Sequence, residues 1–301
     1  SGERFDNIAA AAQKHFEDIT VQWVKNTIRE TGLRKIACCG GSFLNVKANK
    51  LIREMEEVEE AFFYPAADDG GTAVGAALEV YYRLCERDGI RARRYQLKDL
   101  YYGAEYSNED VEKILKEKGL KAEYVDEIEG EVAELLAKGK IIARFAGRDE
   151  WGPRALGNRS ILADPRDTRV IRRLNFAIKM RDFWMPFAPS ILESRMAEYL
   201  VDPKPARYMI EAFDTTEKAS EIIACLHPFD LTARPQTIND WNPGYRKILE
   251  EFEATTGVGG ILNTSFNLHG WPIVGTPETA LWTFENSGLD GVALGNYLIL
   301  R

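Results

Sequence analysis

The chain has 301 residues, 45% of them hydrophobic, with a formal net charge of -8 at pH 7. That length can bury one large core or two medium ones, and two domains are expected; the acidic balance argues against broad nucleic-acid binding, which needs a positive field over the whole contact surface. No apolar run approaches the roughly 20 residues of a membrane helix, and Ser1-Gly2-Glu3-Arg4 has neither region of a signal peptide, so a cytoplasmic protein is expected.

In chain order, apolar positions recur at helical spacing from residue 6 to 31 (Ile8, Ala12, Phe16, Ile19, Trp23) and stop at Gly32, predicting a helix. The apolar run ending at Cys38-Cys39 reads as a strand with buried free thiols; Gly40-Gly41-Ser42 turns into a helix over about 43–55. A second strand at 61–64, a loop over 65–71 and an Ala-rich helix over 72–87 repeat that logic and imply an α/β layer. The charged stretch 86–96 is the expected linker, giving domains at 1–96 and 97–301. Beyond it come predicted helices at 108–118 and 129–137, a strand at 141–145, a helix at 243–255, a strand at 260–262, a helix at 277–285, and short strands near 291–292 and 297–300. The four cysteines show no zinc-ligand spacing, and only three histidines occur. The lack of an initiator Met reads as a fragment of something longer.

Chemistry concentrates between Arg144 and Arg181, where ten basic residues face four acidic ones, nine of the ten being Arg. Arginine forks grip phosphate oxygens bidentately, so phosphate or carboxylate recognition is favoured over mere solubility. Arg166, Arg169, Arg172 and Arg173 read as a solvated helix face. Arg154 and Arg159 lie instead in a Gly- and Pro-shaped loop, Glu150-Trp151-Gly152-Pro153-Arg154-Ala155-Leu156-Gly157-Asn158-Arg159-Ser160, where small residues let a ligand approach the backbone. Lys179 and Arg181 flank Met180, and in an extended segment both would point to one face. Ser265 and Asn267 repeat that spacing after the strand at 260–262, although Ser-x-Asn alone reads equally well as a turn.

The run from Gly147 to Arg166 resembles the signature of the nodulation-factor and antibiotic O-carbamoyltransferases. Pro186-Phe187-Ala188-Pro189-Ser190, Thr232-Ala233-Arg234-Pro235-Gln236-Thr237 and Leu262-Asn263-Thr264-Ser265-Phe266-Asn267 are similar to its later blocks, in the same order. The resemblance implies that 97–301 is a YrdC-like twisted α/β domain whose Lys-x-Arg and Ser-x-Asn motifs, here Lys179, Arg181, Ser265 and Asn267, bind ATP and carbamoyl phosphate. It implies that 1–96 is the end of an actin/hexokinase-like carbamoyl-transfer domain, a partial ATPase subdomain in which Gly40, Gly41 and Asn45 would meet a nucleotide. Asp69 would match a metal ligand there, with a helix N-cap as its structural alternative. The rest of that metal site lies in the missing N-terminal portion of the same protein, so Fe2+ or a similar metal is expected only in the full-length protein. Two positions depart from the family pattern, Met185 where relatives carry Arg and Pro228 where they carry His; His227 stands one place earlier. His269 is read as structural.

The implied chemistry joins carbamoyl phosphate to ATP as carbamoyl adenylate, then passes the carbamoyl group to an acceptor hydroxyl, with Mg2+ carried on the ATP phosphates. Lys179, Arg181, Arg154 and Arg159 are the expected clamp, with Arg234 touching phosphate. Ser265 is assigned to hydrogen bonding, since the sequence supplies it with no base, and Trp151 or Phe266 would stack on adenine or pack in the core. Two other readings stand beside it: a carbamoyl- or threonylcarbamoyl-adenylate synthase in transfer-RNA modification, and a nucleotide- or RNA-binding module using the basic island with Phe176, Phe183 and Trp184. A homodimer is compatible with all three.

Overall fold

The computed structural model describes residues 4–182 and 184–301, and they fall into two compact α/β units. The first holds residues up to Gln96 together with Ile210–Ala212. Helix α1 (Phe5–Thr31) stops at Gly32, whose left-handed φ of 71° lets its N–H reach the Ile28 carbonyl, the conformation glycine adopts without a Cβ penalty. Strand β1 (Lys35–Cys38), helix α2 (Val46–Arg53), strand β2 (Glu60–Phe63) and helix α3 (Asp69–Arg87) follow, and β1 and β2 pair in parallel from Lys35 opposite Glu60 to Cys38 opposite Phe63.

Three expectations shift in this unit. The helix foreseen over 43–55 is a 3-10 turn, Gly41–Leu44, followed by α2, because the Asn45 side chain accepts from the Ala48 N–H and starts the α-helix there. Cys38 is buried but Cys39 is exposed, since successive residues of an extended chain face opposite ways. The cap of α3 is Asp68, accepting from Gly70 N–H, and Asp69 lies exposed on the first turn.

The second unit comprises Leu97–Met209 and Phe213–Arg301. Its elements are α4 (Asn108–Glu117), β3 (Glu123–Tyr124), α5 (Ile128–Ala137), β4 (Ile142–Phe145), β5 (Arg159–Ala163), α6 (Arg169–Arg173), β6 (Ala188–Leu192), α7 (Met196–Tyr199), β7 (Gln236–Ile238), α8 (Pro243–Thr256), β8 (Gly260–Ser265), α9 (Pro277–Glu285), β9 (Gly291–Leu294) and β10 (Tyr297–Leu300). They build a mixed sheet of order β3-β10-β9-β4-β5-β8-β6-β7. Only β4 with β9 and β6 with β7 run parallel; the other neighbours are antiparallel.

Both faces of the sheet are covered, and the period-2 alternation of strands divides the core accordingly. Ile142 and Ile261 pack with Val132 and Leu136 of α5 and Ile248 and Phe252 of α8. Ala143, Phe145 and Leu262 pack on the other side with Val111 of α4, Leu281 of α9, and Leu174 and Ile178. At roughly 1.5–3 kcal/mol for each large apolar side chain removed from water, these two layers dominate the unit's stability. The N-termini follow from local chemistry: Ser107 and Asp110 form a capping box on α4, and Thr276 with Pro277 starts α9, satisfying amides that have no partner within the helix.

Strands β5, β6 and β7 do not stand out in the sequence. All are buried throughout, so they lack the inside–outside alternation that marks a half-exposed strand. The sequence-based prediction of a strand at 141–145 is met by β4, with Ile141 just outside it.

Candidate anion-binding site

The loop between β4 and β5 is organised from beneath by a buried carboxylate. Glu150 Oε1 accepts from the backbone N–H groups of Leu156 (2.7 Å), Asn158 (2.7 Å) and Arg159 (3.2 Å). Burial pushes its pKa up, and those three donors oppose the shift. The Arg144 guanidinium braces the same turn, donating through Nη1 to the Gly157 carbonyl and Asn158 Oδ1, both at 2.8 Å. Gly157 has a φ of 116°, and a Cβ there would lie 2.3 Å from the Tyr245 ring, so both conformation and space demand glycine. Below it, Tyr245 OH donates to Ser190 Oγ (2.7 Å), Asn263 Nδ2 donates to the same oxygen (3.1 Å), and Gln236 Nε2 donates to the Leu156 carbonyl (2.8 Å). Gln236 of β7 thus holds the loop at Leu156, Asn263 of β8 holds it at the Ala155 carbonyl (3.3 Å), and Ser190 links β6 to Asn263 and Tyr245, which steadies the backbone beside Arg154.

Lys179 closes a π-helical turn, Leu174–Lys179, and Met180 then adopts a left-handed φ of 52°. The extended Lys-x-Arg segment inferred from spacing is therefore replaced by a helix end and a sharp reversal. The reversal is held by Arg181, whose backbone N–H donates to the Asn175 carbonyl and whose Nε donates to Asn175 Oδ1 (2.8 Å). It still delivers the lysine to the Ser-x-Asn motif. Lys179, only 3% exposed, donates through Nζ to the Ser265 carbonyl, to Ser265 Oγ (3.0 Å) and to Asn267 Oδ1 (2.6 Å), while Ser265 Oγ donates to Asn267 Oδ1 (2.7 Å). A lysine base thus lies beside Ser265 that the sequence did not reveal. The serine proton, however, points at Asn267, and the three acceptors around Nζ match the three N–H donors of an ammonium.

The electrostatics around this lysine are one-sided. Burial and the neighbouring Arg181 charge hold the Lys179 pKa well below its ordinary value. Burial alone lowers that of Arg181, whose guanidinium lies 4.6 Å above the Phe187 ring. Arg234 is lowered to about 9, first by burial and then by repulsion from Arg154 and Arg181. No carboxylate contributes to any of these three shifts. Buried cations that repel one another leave a field that an anion would relieve.

Other residues singled out from the sequence sit elsewhere. Arg159 is fully buried and turned inward: its two terminal nitrogens donate to the carbonyls of Ala146, Asn158, Ala104 and Gly147 at 2.9–3.1 Å, and its Cζ lies 3.7 Å from the Phe145 ring centre. Those donors are spent on the backbone, so Arg159 supports the loop and contributes no fork to a ligand. Phe266 is fully buried in the core layer and offers no stacking face, while Trp151 is half-buried against Leu100, Leu156 and Ala188. His269 contributes its backbone N–H to the Lys179 carbonyl. His227 Nδ1 lies 3.0 Å from Asp230. Phe176 and Trp184 are exposed, and Phe183 lies outside the described residues. In the first unit, Gly40 (φ 112°) and Gly41 have open space where a side chain would stand, whereas the Asn45 amide is engaged by Gln13 and by its own helix cap. Among the described residues no group of three potential metal ligands forms, at Asp69 or elsewhere. Glu150 and Arg144 were missed because nothing in their spacing reveals that each organises a turn several residues away.

Comparison with known proteins adds an independent finding. A family model described as carbamoyltransferase C-terminus matches residues 133–301, and one described as carbamoyltransferase N-terminus matches residues 1–78. An uncharacterized protein of Methanocaldococcus jannaschii is 38% identical over 98% of this chain and 49% of its own length. Nodulation protein NolO of Bradyrhizobium diazoefficiens is 34% identical over 98% of this chain and 54% of its own. The chain therefore spans about half the length of these relatives. Full-length HypF, solved in a phosphate- and nucleotide-bound form, aligns with 82% of this chain and 37% of its own at 16% identity and a TM-score of 0.43.

Proposed function

Since this chain belongs to the carbamoyltransferase family, we propose that residues 97–301 form carbamoyl adenylate from carbamoyl phosphate and ATP, and that the carbamoyl group then passes to an acceptor hydroxyl. In the first step water releases inorganic phosphate from carbamoyl phosphate, and the resulting carbamate oxygen attacks the α-phosphorus of ATP as pyrophosphate leaves. Apart from water, every reactant and product of that step is an anion. In water they repel, so fixed cations lower the cost of approach and stabilise charge on the departing pyrophosphate. The observation that carries this reading is that Lys179 meets Ser265 and Asn267 in one buried hydrogen-bonded cluster with the Arg181 charge beside it, while Arg181 and Arg154 both repel Arg234.

Within that reading Lys179, Ser265 and Asn267 form a hydrogen-bonding cradle, and Arg181, Arg154 and Arg234 supply charge. Mg2+ arrives on the ATP phosphates as part of the substrate. The open backbone at Gly40 and Gly41 is the part of the first unit suited to a nucleotide, completed by the rest of a longer protein that would also hold any metal. The cytoplasm, where ATP is abundant, is the place of action.

The test is carbamoyl-phosphate-dependent exchange of labelled pyrophosphate into ATP. It is expected for the unaltered chain and lost, by at least a hundredfold, in Lys179→Ala; exchange unchanged by that substitution overturns the clamp. The RNA-binding alternative separates by salt, since affinity for RNA would collapse between 50 and 200 mM salt by roughly 10³-fold or more, whereas a buried small-ligand clamp loses far less.

A further inference from the structure

A polar cavity in the same unit is lined by none of the clamp residues. Its volume is about 360 Å³, within the roughly 300–1,000 Å³ of small-molecule pockets. It lies outside the carboxyl ends of the adjacent parallel strands β4 and β9 and is lined by the residues that leave them, Gly147 and Gly295 among them, the location at which open α/β sheets offer a crevice. Its deepest polar group is Arg144, 7% exposed. Only Nη1 of that guanidinium is engaged; Nε and Nη2 have no hydrogen-bond partner among the described residues, and neither is among the atoms sealed from solvent.

Glu129, on the first turn of α5, lines the same cavity. Its Oε1 and Arg144 Nη2 lie 2.9 and 3.1 Å from the point where a side chain at Gly244 would begin, so the two atoms are no more than about 6 Å apart, yet no direct ion pair joins them. The neighbouring Asn108 donates through Nδ2 to Asn296 Oδ1 (3.0 Å) and accepts from the Asn296 N–H, while the Asn296 amide donates to the Val125 and Asp126 carbonyls, so the pair shapes the wall. A buried guanidinium with two open nitrogens, three N–H donors in all, beside a carboxylate able to accept two or more hydroxyls is a recognisable pairing of chemistries.

We propose that this cavity is a second small-molecule site, taking a hydroxylated compound that carries one acidic group, with the acid on Arg144 and hydroxyls on Glu129. The proposal is independent of the carbamoyl-transfer reading. Because Arg144 Nη1 holds the Gly157 carbonyl, a ligand there also steadies the loop that carries Arg154. The acid could be a carboxylate or a phosphate monoester, which two probes distinguish.

The experiment titrates the full chain with D-gluconate, D-glucitol 6-phosphate and uncharged D-glucitol by calorimetry, and follows glycine amides in ¹⁵N-labelled protein. At least one acid is expected to bind saturably and at least tenfold more tightly than D-glucitol, with the Gly147 and Gly295 amides shifting first. Glu129→Gln should weaken that binding at least fivefold and Arg144→Met at least tenfold, with circular dichroism reporting folding. If Arg144→Met does not fold, Glu129→Gln and the amide map decide. The proposal is overturned by an absence of saturable binding, by equal binding of D-glucitol, by affinity unchanged in the folded variants, or by shifts centred on the Lys179 to Ser265 segment.

Discussion

Lys179 shows how a single residue sets the character of the site. In the unfolded chain its ammonium would titrate near the ordinary lysine value of 10.5, and the fold lowers that pKa well below it. Between those two values the unfolded chain binds the extra proton, so stability rises with pH across that window and is lowest below it. An incoming anion favours the charged form, so pyrophosphate binding takes up a proton and weakens as pH climbs through the depressed value. Calorimetry over a pH series should show that dependence in the unaltered chain and a flatter profile in Lys179→Met; identical profiles would remove Lys179 from the anion site. Glu150 acts differently, as a hub for three backbone donors. Glu150→Ala leaves those amides unsatisfied and opens a small void, for which about 3 kcal/mol of lost stability is expected, readable by urea denaturation.

At the scale of elements, the turn into β5 is where backbone geometry and packing demand the same residue. Gly157→Ala places a methyl against the Tyr245 ring and forces a non-glycine residue to a φ of 116°. A loss of at least about 2 kcal/mol is expected, and because this turn carries Arg154 at one remove, pyrophosphate affinity should fall with it. Helix α9 offers a control remote from that turn: Thr276→Ala removes the side chain that accepts from the Thr279 N–H, a loss of about 1 kcal/mol that leaves anion binding unchanged. Thermal unfolding of the two variants, alongside pyrophosphate titration, separates loop geometry from general stability.

For the whole molecule, every residue of the proposed clamp belongs to the second unit, so a chain beginning at Leu97 should keep its pyrophosphate affinity within about threefold; a larger loss would mean that the first unit orders the site. Much of this organisation was legible beforehand. Periodicity gave α1, α4, α8 and α9, glycine turns separated strands from helices, and the Gly147 to Arg166 run pointed to the family. These are properties of neighbouring residues, governed by 3.6- and 2-residue periods and by backbone freedom at glycine, and the sequence determines them by itself. The fate of each arginine was not legible in this way. Arg154 and Arg159 look equivalent in one loop, yet Arg159 spends its terminal nitrogens on carbonyls from three segments and Arg144 braces a turn from beneath. Lys179 meets Ser265 across 86 positions of chain because a π-turn and a left-handed Met180 aim it there. Which donors the fold has already used is decided by pairings between distant strands, so only the tertiary structure could show that Arg159 and Arg144 brace the loop from within.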